Sequence, residues 1–216
     1  LHLSMDFRQA IRNYAAQPLT HQVLLSILKD YKRPNDKVYE LLKSGMLLSI
    51  KKGLYIVGPS VDSQKPEPFL IANHILGPSY ISLDSALSYH GLIPERVYEI
   101  SSVTTKASRK FTTPVGIFTY TNLPLPYYSF GIQQLRLSDQ QNAMIASPEK
   151  ALFDKVVTTP GIILRSEKNA FDYLVEDLRI DEEGLGNLNT RWMSEWVSEA
   201  PKKSSLLNVI KMIDSL

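Results

Sequence analysis

The sequence predicts an α+β protein of two unequal parts: three helices and a hairpin, then a larger mixed α/β domain that closes in helices. Three observations predict it. Apolar residues recur at helical spacing as far as Leu42, and the period turns extended after Gly45. A stretch rich in Pro, Gly and Ser and poor in apolar residues, "GPSVDSQKPEP" at residues 58–68, then marks a boundary. Beyond it, β-branched alternating runs are interleaved with helical ones. The expected domains are residues 1–60 and 61–216.

Phe7, Ala10, Ile11 and Tyr14 share one face of a first helix, which Pro18 ends. Val23, Leu24, Ile27, Leu28 and Tyr31 repeat the spacing in a second helix, with Thr20 as its N-cap. Pro34 opens a third helix, where a missing N–H costs nothing, and Val38, Leu41 and Leu42 are its apolar stripe. Gly45 stops it. "MLLSI" and "LYIV" then flank "KKG", a hairpin whose turn needs the positive φ that Gly53 supplies.

Three helices and a lysine-tipped hairpin in about sixty residues form the winged-helix pattern. In that arrangement the third helix enters the DNA major groove and the wing grips backbone beside it. Lys32 and Arg33 precede the third helix, and Asn35, Lys37 and Tyr39 are expected on its exposed side with Asp36 and Glu40. Lys51 and Lys52 are expected at phosphates, and Asn35, Lys37 and Tyr39 at bases. The plainer alternatives are hairpin charges that keep a turn soluble, Asp36 as a helix cap, and a winged helix that docks a protein instead of DNA.

Charge supports the DNA reading. The chain carries a net +2, yet residues 1–60 hold nine basic against four acidic side chains, while residues 165–200 hold four against nine. A basic end suits a polyanion. There is no Cys, which removes disulfides, thiolate zinc sites and a thiol nucleophile. No apolar run approaches a membrane span, and Asp6, Arg8 and Arg12 interrupt any leader-like stretch, so a cytoplasmic location is expected.

In the body, "PFLIANHIL" reads as a short helix or strand. "SLDSALSYHG" reads as a helix capped by Ser82 and stopped by Gly91, and "VYEISSVTT", "VGIFTYTN" and "YYSFGIQQLRL" as strands. "KASRKFTTP" reads as a polar connection whose Lys106, Arg109 and Lys110 are a candidate second basic surface. "SPEKALFDKVV" opens a helix with Ser147 as N-cap, Pro148 first and Glu149 at the positive helix end. "AFDYLVEDL", "RWMSEWVSEA" and "SLLNVIKMIDSL" are helical, and Phe171, Tyr173, Trp192 and Trp196 are expected in the core.

Catalysis finds little footing. His2, His21, His74 and His90 have no metal-ligand spacing, and Asp84, Ser85 and His90 are out of phase on their helix. "GLGNLN" at residues 184–189 follows "DEE" and no strand, so it reads as a turn and not as a phosphate loop. Glu149, Lys150, Asp154 and Lys155 resemble a magnesium-nuclease grouping in composition, but helix capping explains Glu149 better. No catalytic residue, metal or cofactor is expected.

Three stretches, "VYELLKSGMLLSIKKGLYIV", "PSYISLDSALSYHGLIPE" and "IASPEKALFDKV", together resemble the AbiEi-type antitoxins of bacterial type IV toxin–antitoxin systems. The similarity runs over most of residues 20–160. The wing stretch is common to many winged helices; the combination with the other two is the informative part. The resemblance implies a winged helix that represses its own operon through inverted repeats in double-stranded DNA. It also implies an α+β antitoxin domain that counters a nucleotidyltransferase-like toxin without a stable complex. Asn35, Lys37, Lys51 and Lys52 match the DNA-reading positions, while acidic Asp36 and Glu40 make this helix less basic. The family also includes orphan regulators with no adjacent toxin.

Overall fold

The computed structural model describes residues 2–216, with side chains from Phe7 onward. It is a mixed α/β protein with a helical C-terminal end. The chain opens with α1 (His2–Arg12), β1 (Leu19–Thr20), α2 (His21–Ile27), α3 (Pro34–Lys43), β2 (Leu47–Lys51) and β3 (Leu54–Val57). The Thr20 hydroxyl accepts from the Val23 N–H at 3.3 Å, so the expected cap of α2 forms. Pro34 lies in the first turn of α3, and Gly45 and Gly53 take φ of +70° and +81°. β1 was not expected: two residues are too short to show a period, and pairing with β3 supplies the strand. The first helix ends at Arg12, before Tyr14, which still packs on the same core.

β1, β3 and β2 form an antiparallel sheet in that order. Its alternate faces serve different cores. Leu47, Tyr55 and Val57 join Ile11, Leu24, Leu28 and Leu41 beneath the helices. Ile50, Leu54 and Ile56 join the core of the following body. The hairpin is therefore buried on both sides, and the expected boundary at residues 58–68 lies beyond a structure that both cores share. That segment is anchored as well. Gly58 donates to the Met46 carbonyl at 2.8 Å, and a Cβ on Gly58 would collide with the Gly45 carbonyl oxygen.

The body is built on a six-stranded mixed sheet in the order β6-β7-β5-β4-β9-β8. Its strands are β4 (Ser79–Ile81), β5 (Glu99–Thr104), β6 (Arg109–Thr113), β7 (Gly116–Asn122), β8 (Ile132–Arg136) and β9 (Asn142–Ala146). β5 and β7 run parallel, as do β4 and β9. The segment expected as a polar connection is largely β6: it is an edge strand with one side in solvent, which explains its polar composition. β4 and β9 are additional short strands. α4 (Pro68–Ile75), α5 (Leu83–Tyr89) and α6 (Pro148–Thr158) cover this sheet. Pairing places Tyr80 beside Val103 and Ile81 beside Ser102, which pairs with Tyr120. Tyr80 reaches Asp154 of α6, whereas Tyr120 reaches the Ala72 carbonyl of α4, so these two helices lie on opposite faces.

Ser147 caps α6 by accepting from the Lys150 N–H at 3.2 Å. Ser82 precedes α5 as expected but its side chain does not cap it; its hydroxyl instead donates to Asp154 at 2.7 Å. The C-terminal end comprises α7 (Glu167–Phe171) running into a π-helical turn (Asp172–Asp177), α8 (Glu182–Gly186), α9 (Thr190–Val197) and α10 (Lys203–Asp214). The "GLG" expected as a turn completes α8, capped by Asp181. Trp196 is buried against Phe130, but Trp192 is 51% exposed, so only one of the two tryptophans joins the core. Among the described residues, no helix is long and apolar enough to cross a membrane.

Candidate nucleic-acid interface

Three chain segments meet at His21, the first residue of α2. Its backbone N–H donates to the Gly53 carbonyl in the hairpin turn at 3.0 Å. Its ring Nε2 lies 3.1 Å from Asn35 Oδ1 in the first turn of α3. Its Nδ1 lies 3.4 Å from the Tyr55 hydroxyl on β3. The starts of both helices and the hairpin turn therefore share one surface. No side chain caps α3, and Lys32, Arg33, Asn35 and Asp36 around its start are exposed. His21 is absent from the residues the sequence pointed to, because metal-ligand and catalytic spacing are blind to a histidine that bridges two helices. The signal in the sequence is its place directly after the Thr20 cap.

The expected site residues divide into two groups. Lys32 and Lys52 are exposed and take part in no ion pair among the described residues. Arg33 lies 3.7 Å from Asp36, and Lys37 lies 2.8 Å from Glu40 and 5.6 Å from the centre of the Tyr31 ring. These pairs lower the positive field of α3, though exposed pairs of this kind are weak and exchange readily for a phosphate. Tyr39 is 69% exposed on the same helix.

Lys51 does not lie where the sequence suggested. The register slips between Ser49 and Lys51, a β-bulge at Ile50, and such bulges re-aim side chains. Ile50 points into the body core, and the Lys51 ammonium donates to the Ile75 carbonyl at 2.5 Å. Ile75 is the last residue of α4, so the cation satisfies an orphan carbonyl at the negative end of that helix. Lys51 thus fastens the hairpin to the body, and Lys52 alone marks the hairpin tip as an outward cation.

The second basic stretch is brought close. β6, which begins with Arg109 and Lys110, contacts β2 of the hairpin, and Lys106 lies three residues before it. Lys106 is exposed, Arg109 sits 5.8 Å from the centre of the Phe111 ring, and Lys110 pairs with Glu99 at 2.7 Å.

The nuclease-like grouping is not assembled at a surface. Lys150 and Asp154 are fully buried and 2.9 Å apart, with Asp154 also accepting from Tyr80 and Ser82 and Lys150 donating to the Tyr127 carbonyl. Burial lowers the Lys150 pKa and Asp154 opposes that shift. Burial also raises the Tyr80 and Tyr127 phenols, reinforced by the Asp154 charge, and Tyr128 is pushed up to about 12 by the same two causes. Glu149 is buried and accepts from the Asn189 N–H at 3.1 Å, tying α6 to the start of α9. Lys155 pairs with Asp84 at 2.7 Å in the wall of a cleft of about 280 Å³, which Glu95, paired with Arg179, also lines. Lys150, Lys155 and Arg179 each have a carboxylate partner, and no group of three or more metal-binding side chains exists among the described residues. The stretches "SALSYHGL" and "SPEKALFD" therefore meet as α5 against α6 around a buried ion pair.

Compared with known proteins, the chain matches no family model and no curated protein. Among solved structures it is similar to the RV2827C protein from Mycobacterium tuberculosis, with 14% sequence identity and a TM-score of 0.53. The similarity covers 99% of this chain and 81% of that one, and at this identity it speaks to the fold alone.

Proposed function

We propose that this protein is a sequence-specific double-stranded-DNA-binding repressor. The observation that carries this reading is the convergence at His21 of α3, the start of α2 and the hairpin turn, ringed by exposed Lys32, Arg33, Asn35, Tyr39 and Lys52. The order helix–strand–helix–helix–strand–strand, with an antiparallel sheet behind two consecutive helices, supports a winged helix-turn-helix. In this reading α3 enters the major groove, Lys52 and Lys32 hold phosphates, and the flank carrying Lys106, Arg109 and Lys110 extends the backbone contact.

The resemblance of the three stretches extends the proposal. The protein represses its own operon through inverted repeats and acts as a type IV antitoxin against a nucleotidyltransferase-like toxin, without holding it in a stable complex. It works in the cytoplasm and is not an enzyme.

Fluorescence anisotropy against duplexes from its own upstream region tests the DNA half. Binding that is sequence-selective and weakens steeply with salt is the expected result. No binding at low salt overturns it. A neighbouring reading frame encoding a nucleotidyltransferase-like protein, whose toxicity this chain relieves when both are expressed, tests the antitoxin half.

A second reading has its own support. Exposed Tyr39, together with the Lys37–Glu40 and Arg33–Asp36 pairs, gives α3 a mixed surface of the kind that docks a protein. It predicts that Tyr39→Ala disrupts a protein complex while duplex binding is absent.

A further inference from the structure

We infer that His21 is a positioning residue that sets the base preference of α3 by fixing the amide of Asn35, so that the helix favours guanine over adenine at the base Asn35 meets. The inference rests on the DNA-binding reading and deepens it.

An amide oxygen only accepts, so the His21 Nε2 at 3.1 Å from Asn35 Oδ1 must be the donor. The other ring nitrogen, Nδ1, faces the Tyr55 hydroxyl at 3.4 Å. Tyr55 is only 8% exposed and sits on a strand buried on both faces, which makes it a firm anchor. The backbone bond from His21 to Gly53 fixes the start of α2 in turn. The imidazole is thus held between the Tyr55 hydroxyl and the Asn35 side-chain carbonyl.

No hydrogen bond among the described residues uses the Asn35 amide nitrogen. An asparagine reads adenine with both ends of its amide, accepting from N6 and donating to N7. Here the accepting end is turned toward α2, and the end left for a base carries two donors. Between the two purines, that end matches guanine, whose major-groove edge offers the O6 and N7 acceptors, better than adenine, whose N6 amino group is a donor beside N7.

The experiment uses the full chain and pairs of duplexes that differ by G·C or A·T at each position of the bound site. The readout is the ratio of affinities within a pair. A merely structural role for His21 lowers both members together and leaves the ratio unmoved. At one position the wild type is expected to prefer guanine by roughly tenfold, within the range of one good base contact. His21→Phe keeps a ring beside Tyr55 but has no donor for Asn35, and is expected to bring that ratio to about one or reverse it. His21→Gln still carries an amide N–H and is expected to retain it. A thermal melt of each variant confirms folding. A His21→Phe protein that keeps the wild-type ratio, or a wild type that prefers adenine at the position Asn35→Ala affects, overturns the inference while leaving DNA binding intact. Failure of the wild type to bind any duplex overturns both.

Discussion

The two hairpin lysines, adjacent in sequence, are expected to behave as different residues. Lys51→Ala removes a charged hydrogen bond to the Ile75 carbonyl at the end of α4. Charged hydrogen bonds contribute about 1.5–3 kcal/mol, and a cation at a helix C-terminus adds about 0.3–1 kcal/mol. The half-buried position of Lys51 places the cost of its removal toward the lower end, about 1–3 kcal/mol of stability. Lys52→Ala removes an exposed cation with no ion-pair partner among the described residues, so stability changes by less than about 0.5 kcal/mol. On DNA the order inverts. Removing one cation from a phosphate lowers the salt slope by about 0.9, so raising the salt from about 50 to 200 mM weakens the Lys52→Ala protein by a factor about 3.5-fold smaller than it weakens the wild type. Lys51→Ala leaves the slope alone. Urea titration and anisotropy across a salt series measure the two effects on the same samples. Equal destabilisation by both substitutions, or a lower slope from Lys51→Ala, would refute the assignment of Lys51 to the body and Lys52 to the phosphates.

Other outcomes follow from the same structure. Asp154→Ala strands the buried Lys150 ammonium and two hydroxyls, and is expected to cost about 3–5 kcal/mol in urea unfolding; Lys150→Met combined with Asp154→Leu is expected to cost less than Asp154→Ala, because no charge is then left alone although the Tyr80 and Ser82 hydroxyls still lack their acceptor. Gly58→Ala drives a methyl group into the Gly45 carbonyl, and is expected to cost about 3 kcal/mol or more by the same measurement. The Asp62 carboxyl is held below its ordinary 3.8 by the Gln64 N–H and by Arg12. The unfolded chain binds that proton more readily, so the contribution is present above pH 3.8 and disappears as pH falls through the lowered value of the folded protein. Asp62→Asn is expected to flatten the acid limb of stability plotted against pH.

Features set by neighbours in sequence are legible in the residues themselves. Thr20 and Ser147 cap their helices, Pro34 opens α3 and Gly53 turns the hairpin, because each depends on a few adjacent backbone groups. Features set at a distance are not. The Ile50 bulge sends Lys51 to a carbonyl twenty-four residues away, and nothing local signals it. Lys150 reads only as one charge of a grouping at a helix start, yet the Tyr127 carbonyl and Asp154 hold it in the core. Arg109 and Lys110 disguise β6 as a loop, since an edge strand tolerates charge along its open side. Trp192 and Trp196 lie four residues apart on α9, but among the described residues only Trp196 has an aromatic partner to pack on. In the candidate interface, charge alone finds the cationic residues. The histidine that joins its parts requires the fold.

The hairpin's double duty makes the N-terminal part a poor candidate for transplantation. Severing the chain after residue 60 strips the body from Ile50, Leu54 and Ile56 and leaves three greasy side chains in water. Chimaeras joined within residues 58–68 are therefore expected to aggregate unless those positions are made polar. If the protein reads DNA as proposed, new preferences are expected from exchanging residues of α3 in place, not from shuffling whole N-terminal parts between bodies.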